Sequence, residues 1–263
     1  MHIVVCMKQV IDLQQLRIRP ETREPVLDGL PLMLGEFEKN ALEAAVQFKE
    51  ANAASKVTVL AGGSAKLTDT IKEALAMGAD EAVLLIDPAF EGADAGGSAR
   101  LLAVAIEKLG DVDLVLLGEG SDDEYSGQVP SRLAELLGLP QITYARELEV
   151  LDGGRVRGVQ DLEDVLETVE ADLPALVSVT SELNEPRLPP LTAILKAASK
   201  PVQQWSAADL GVSEETVGAG AAEVEVLSNL APEQSRKGVI YEDVEEGVTE
   251  LVKALRQEGV LDG

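Results

Sequence analysis

The chain has 263 residues, enough for one large domain or one domain with a long appendage. Its 22 Lys and Arg stand against 47 Asp and Glu, a net charge of −25, which argues against nucleic acid or an anionic membrane as partner because phosphates are repelled. A hydrophobic content of 46% with a single cysteine, Cys6, describes a globular chain without an internal disulfide, as expected in a reducing, cytoplasmic compartment.

No apolar stretch reaches the roughly 20 residues of a membrane span, and the N-terminus reads as a strand from the outset, with no signal or transit peptide. Ile3 to Met7 is a buried strand with Lys8-Gln9 at its carboxyl end. Residues 11–35 have no clean period; Arg17 to Arg19 and Pro25 to Leu27 read as short extended pieces. Phe37, Ala41, Leu42, Ala45 and Phe48 mark a helix. Val57 to Ala61 is a second strand, ending in Gly62-Gly63-Ser64. Leu67, Ile71, Ala74 and Leu75 mark the next helix, and Ala82 to Ile86 the third strand. A Gly-rich connection, Gly92 to Gly97, precedes a helix of Leu101 to Leu109, and Leu114 to Leu117 is the fourth strand. This alternation predicts an α/β fold with a doubly wound parallel, nucleotide-binding sheet.

The stretch after the fourth strand carries the chemistry. Gly118 ends the strand, ten polar residues follow, and Val129, Leu133, Leu136 and Leu137 then recur at helical spacing around Pro130. Ligands of open α/β sheets sit at the carboxyl ends of strands. The loop offers backbone N–H groups freed by Gly120 and Gly127, the Ser121 and Ser126 hydroxyls and the Gln128 amide. It also carries Asp122, Asp123 and Glu124 in a row and no Lys or Arg. Such a loop suits a ribose hydroxyl or one phosphate held by N–H groups, not a triphosphate. An ordinary surface loop reads the local sequence equally well, since it matches no standard nucleotide motif.

Beyond Pro140 the pattern changes. Ile142 to Leu151 and Arg155 to Val159 form a hairpin around Asp152-Gly153-Gly154. Leu166 to Ala171 and Leu176 to Thr180 are further strands, and Thr192 to Ala198 a short helix. Residues 205–236 are acidic, with a helix signal only at Ala207 to Leu210; the last element is an amphipathic helix, Val244 to Gln257. The organisation expected is an α/β domain over residues 1–205 and a C-terminal, partner-docking arm over 206–263. No Ser/His/Asp set or metal-ligand cluster stands out. His2, the only histidine, reads as incidental, and Cys6 as a core residue, not a nucleophile. Without a general base beside a nucleophile, the chain reads as a binder or carrier, not a hydrolase.

The stretch Glu182-Leu183-Asn184-Glu185-Pro186-Arg187, followed by Leu188-Pro189-Pro190-Leu191-Thr192-Ala193-Ile194-Leu195-Lys196-Ala197, resembles a signature of the electron transfer flavoprotein β subunit. Lys8 to Asp12, Ala74 to Asp80, Asp113 to Gly118, Leu166-Glu167-Thr168, Leu173-Pro174-Ala175 and Gly211-Val212 agree with the family in order and spacing, so the resemblance runs over about residues 1–260. It implies a β subunit that holds a buried, redox-inactive AMP and forms one wall of a FAD site carried mainly by an α subunit. Electrons would pass from flavin dehydrogenases, such as acyl-CoA dehydrogenases, to a quinone reductase.

Carried over residue by residue, the AMP contacts implied are Cys6 and Met7, then Gly35, Glu36, Phe37 and Glu38, then Gly62, and in the fourth loop Gly118, Ser121, Asp122, Asp123, Ser126, Gly127, Gln128 and Val129. Leu13 corresponds to an aromatic that faces the flavin in some relatives, and Asp161 to an acidic position linked to gating of the flavin domain. Leu191 falls on a recognition loop whose leucine anchors on partner dehydrogenases; Leu195 is expected to pack inward. Two departures stand out: many relatives have Asn-Pro where this chain has Gly35-Glu36, and Gln-Ala-Ile-Asp where it has Gly120 to Asp123. Two other readings stay open: an electron-bifurcating subunit that holds a second FAD and oxidises NADH, and a stand-alone adenine-nucleotide sensor.

Overall fold

The computed structural model describes residues 1–233 and 238–261. They fall into two compact units: residues 1–17 with 26–228, and residues 18–25 with those from 229 onward.

The chain opens with β1 (His2–Ile11), followed by the short pieces β2 (Arg17–Ile18) and β3 (Pro25–Val26), which pair with each other where the first unit gives way to residues 18–25, and β4 (Leu32–Leu34), antiparallel to β1. Then come α1 (Glu36–Ala51), β5 (Lys56–Gly62), α2 (Leu67–Met77), β6 (Glu81–Leu85), α3 (Ala95–Leu109), β7 (Leu114–Gly118) and α4 (Val129–Leu137). Next are β8 (Gln141–Leu151), β9 (Arg155–Leu162), β10 (Val165–Asp172) and β11 (Ala175–Val179), then α5 (Leu191–Ala197), β12 (Val202–Trp205), α6 (Ala207–Leu210) and α7 (Glu214–Val217). The sheet order is β10-β9-β8-β11-β7-β1-β5-β6-β12, with β4 beside β1. Every pairing from β8 through β12 along that order is parallel, while β8, β9 and β10 form an antiparallel meander on one side.

The alternation of side chains along β1 explains how two layers of helix can be bound at once. Ile3, Val5 and Met7 pack with α1 and α2 on one face, and Val4 and Cys6 with α3 and α4 on the other. At about 1.5–3 kcal/mol for each large aliphatic side chain buried, the central strands are the main anchor of the fold. The chain builds outward from β1 to β5 and β6, then returns to lay β7 on the other side of β1. That reversal places a crevice between the carboxyl ends of β1 and β7.

Two features differ from the sequence expectation. The helix expected from Leu101 begins at Ala95, so Gly96 and Gly97 lie inside it, not in a connection. Asp94 caps it, accepting from Gly97 N at 2.8 Å, and a Cβ on Gly97 would stand 2.7 Å from the Val217 carbonyl. Gly97 admits the close approach of α7, and packing there outweighs its poor helix propensity. Within 205–236, α7 and part of the edge strand β12 join the expected α6; residues 234–236 of that stretch lie outside the described residues.

In the second unit, α8 (Val244–Gln257) has the expected bounds, and Asp243 caps it by accepting from Glu246 N at 2.8 Å. Val244, Val248 and Leu251 on this helix are exposed. No helix among the described residues is long and apolar enough to cross a membrane.

Candidate functional site

The crevice is bounded by the last residues of β1, the first turn of α1, the loop after β7 and the start of α4. The first turn of α1 presses onto the end of β7: a Cβ on Gly118 would come within 2.6 Å of Phe37 Cβ. The aromatic ring of Phe37 meets that of Tyr125 at 5.7 Å between centroids. This brings residues 35–38 against the 118–129 loop, more than eighty positions later in the chain.

The acidic run of the loop is wired to its surroundings. Asp122 Oδ2 accepts from Glu36 N at 2.7 Å, closing the N-terminus of α1, which no side chain within the helix caps. Lys8 Nζ donates to Asp123 Oδ1 at 2.8 Å and Glu124 Oε2 at 3.0 Å, and lies 3.4 Å from Ser121 Oγ. Burial pushes Asp123 up, but its hydrogen bonds from Lys8 and Ser121 outweigh that and hold the carboxyl below its usual range. Burial likewise opposes the charge on Lys8, and the bonds to Asp123 and Glu124 raise it above its ordinary value. The cation that the loop lacks is therefore supplied by β1. Tyr125, whose φ is +43°, donates to Glu119 Oε1 at 2.6 Å; that bond pushes its phenol up to about 12. Burial, ahead of the Tyr125 bond and the nearby Glu182 and Asp161, leaves Glu119 raised.

What the loop leaves open is backbone. Gly127 has φ +64°, the left-handed region that turns the chain into α4. No side chain caps α4 at Gln128, whose amide oxygen instead accepts from Arg132 at 3.0 Å. The backbone from Gly127 to Val129 at this helix start is suited to an anion.

Glu38 faces the same crevice. It is 5% exposed, and its Oε2 has no hydrogen-bond partner among the described residues. Its carboxyl folds back over Gly35, where a Cβ would overlap it. Burial pushes this carboxyl up to about 8; its own backbone N–H opposes the rise, the Asp122 carboxylate adds to it, and the Lys8 charge and backbone N–H oppose it. A buried, neutral carboxylic acid with an unsatisfied oxygen can both donate to and accept from a ligand.

The other sequence candidates are distributed as follows. Cys6 and Met7 have buried side chains on opposite faces of β1, four residues or more before its end. Burial holds the Cys6 thiol up at about 12, so it stays protonated. Gly62 lies beside Lys8 in the register of β1 and β5, at the edge of the crevice. Ser126 Oγ accepts weakly from Gln128 N at 3.5 Å. Leu13 sits exposed on a single turn begun by Asp12, outside the crevice elements. Asp161, on β9, pairs with Arg146 Nη1 at 3.0 Å. Lys8, Glu119 and Tyr125 join this cluster without being named individually among the candidates; Glu119 and Tyr125 fall within the 118–129 span, and Lys8 stood out by its place at the carboxyl end of a strand.

The Asn184–Arg187 signature folds onto α1. Asn40 Nδ2 donates to the Asn184 carbonyl at 2.6 Å and Asn184 Nδ2 donates to the Asn40 carbonyl at 3.0 Å. Arg187 reaches both Glu43 and Glu50. Past this point Leu191 is 71% exposed, as expected, but so is Leu195 at 70%. The inward packing expected of Leu195 is therefore wrong: α5 is a seven-residue helix that buries only Ala197.

A family model described as "Electron transfer flavoprotein domain" matches residues 28–210. The chain is 35% identical over 263 residues to the "Caffeyl-CoA reductase-Etf complex subunit CarD" of Acetobacterium woodii, covering 99% of this chain and 100% of that one. It is 37% identical to the "Electron transfer flavoprotein subunit beta" of Thermoanaerobacterium thermosaccharolyticum, again over 99% and 100% of the two chains. To the protein of the same name in Clostridium acetobutylicum it is 38% identical, over 98% and 99%.

Proposed function

The chain belongs to the electron transfer flavoprotein family as a β subunit, and we propose from that premise that it works in the cytoplasm as half of a heterodimer with an α subunit. In this reading its own crevice binds AMP structurally. FAD is held mainly by the α subunit, with this chain as one wall near Leu13 and Asp161. Electrons pass from flavin dehydrogenases, such as the acyl-CoA dehydrogenases of fatty acid oxidation, to a quinone reductase, and the loop around Leu191 docks the donor. FAD supplies the redox chemistry; this chain binds, orients and docks.

One observation carries the nucleotide part: the buried Glu38 oxygen is unsatisfied beside Asp122, whose loop runs on to the uncapped start of α4. The donor set fits a mononucleotide. Backbone N–H groups of Gly127 and Val129, with the Ser126 hydroxyl, suit one phosphate. Glu38 suits a ribose hydroxyl or an amino group of the base. Asp122 and Asp123 act indirectly, because their carboxylates are taken up by α1 and Lys8. A pyrophosphate would meet Asp122, Asp123 and Glu124 with Lys8 already paired, which favours AMP over a larger, more anionic ligand.

A second reading, an electron-bifurcating subunit with FAD in this crevice and NADH as reductant, draws support from the relative that is part of a caffeyl-CoA reductase-Etf complex. Denaturing the purified heterodimer and quantifying what it releases tests both. One AMP and one FAD per heterodimer supports the first reading; two FAD and no AMP selects the second. A stable monomer recovered without an α subunit would refute both and leave an adenine-nucleotide sensor.

A further inference from the structure

We propose that Arg187 is a positioning residue for electron delivery: by bridging Glu43 and Glu50 on α1, it fixes the direction in which the loop through Leu191 is presented to the donor protein. This rests on the reading that the loop docks a donor.

The segment between β11 and β12 rests on α2 through α5, where Ala197 alone is buried, and is otherwise held by polar contacts. Its helix α5 is too short to be stable alone. Leu188, Leu191 and Leu195 point to solvent and anchor nothing within the chain. Polar clasps stand at the two ends. Beyond the loop, Lys200 Nζ donates to the carbonyls of Leu75 and Ala79 at 2.8 and 2.5 Å. Before it, Asn184 and Asn40 exchange amide hydrogen bonds, and the Arg187 guanidinium follows.

The geometry of that guanidinium is specific to arginine. Nε donates to Glu43 Oε2 at 2.8 Å and Nη2 to Glu43 Oε1 at 2.9 Å. Nη1 donates to Glu50 Oε1 at 2.6 Å and Nη2 to Glu50 Oε2 at 3.0 Å. Two carboxylates two helical turns apart are each gripped by two bonds, which a lysine ammonium cannot reproduce. Asn40, Glu43 and Glu50 recur at spacings of three and seven, so one face of α1 carries the whole clamp. The Glu43 carboxylate is almost completely buried, while the Glu50 side chain is 57% exposed. One arm of the clamp is therefore fixed in the protein and the other is accessible to mutation without disturbing the core. Pro189 and Pro190 follow after Leu188 and carry the direction set at Arg187 into α5.

Arg187→Lys and Glu50→Ala, made in the full heterodimer, test the assignment, together with Leu191→Ala and the double variant of Arg187→Lys with Leu191→Ala. Glu50→Ala keeps the buried Arg187–Glu43 pair and serves if Arg187→Lys does not fold. The expected result is a three- to tenfold rise in the apparent KM for the donor dehydrogenase, with kcat and dye-mediated flavin reduction unchanged. Cleavage after Lys196 by a lysine-specific protease should speed up by a similar factor while the melting temperature barely moves. In the Leu191→Ala background, Arg187→Lys should add no further rise in KM, because it acts through that side chain. Normal cleavage and normal KM in Arg187→Lys and Glu50→Ala would overturn the clamp. Additive effects in the double variant would overturn its action through Leu191. No change in KM for Leu191→Ala would refute the docking reading itself, and the delivery role with it.

Discussion

Glu38→Gln should stabilise the protein at alkaline pH and leave it nearly unchanged at pH 5. In the folded chain burial pushes this carboxyl from 4.5 up to about 8, whereas the unfolded chain releases the proton near 4.5. Between those values the native state binds more protons than the unfolded state, so stability falls as pH rises. The loss begins above the unfolded value and is complete once pH passes the folded one. At about 1.4 kcal/mol per pH unit, the window of more than three units corresponds to a loss on the order of 3–5 kcal/mol by pH 9. Glutamine has the same shape and stays neutral, so the variant escapes that loss. The assay is thermal or urea unfolding from pH 5 to 9 on both proteins, taking the difference between them so that the other carboxylates cancel. A stability difference that did not grow with pH would refute the argument. It would mean that burial, with Asp122 adding to it and Lys8 opposing it, does not keep Glu38 neutral.

Three further outcomes follow from the same contacts. Gly127→Val places a β-branched residue at φ +64°, a strain of about 1–2 kcal/mol or more, and should lower the AMP recovered from the heterodimer; unchanged AMP would count against this loop as the phosphate site. Lys8→Met removes the cation shared by Asp123 and Glu124 and should loosen the 119–128 loop by about 1 kcal/mol. Hydrogen exchange would report that as roughly fivefold faster opening, and identical exchange would exclude the clasp. Truncation after Ser228 removes the C-terminal part of the second unit with its exposed Val248 and Leu251; the first unit should still fold while affinity for the α subunit drops at least tenfold. Pairing at full strength in that variant would dismiss the arm as the docking element.

The periods in the chain determined the alternation of strand and helix, because burial on one face or two leaves a local pattern of apolar residues. For that reason β1, β5, β6, β7, the β8–β9 hairpin and α8 lie where the sequence puts them. The signature near Arg187 likewise identified the family before any coordinates. Where a local preference and packing oppose each other, packing prevailed: Gly96 and Gly97 read as a connection but lie in α3, and at Gly97 α7 needs the room. Leu195 reads as a core residue at helical spacing, yet a seven-residue helix that rests on α2 and buries only Ala197 leaves it in solvent.

The site itself was legible as loops and not as contacts. That the carboxyl ends of strands would carry a site follows from the fold class, and Gly127 and Asp122 were within reach of that argument, whereas Glu38 came only from the resemblance. The order of strands decided the rest. Placing β7 beside β1 brings Lys8 to Asp123 across 115 positions, and the packing of the 184–187 segment on α1 brings Arg187 to Glu43 across 144. A charged residue on a local segment reads as solvated, because nothing in its neighbours states which distant charge it will meet. Only the tertiary structure turns the acidic run into a cap for α1 and a partner for Lys8, and leaves the Glu38 oxygen unsatisfied in the crevice.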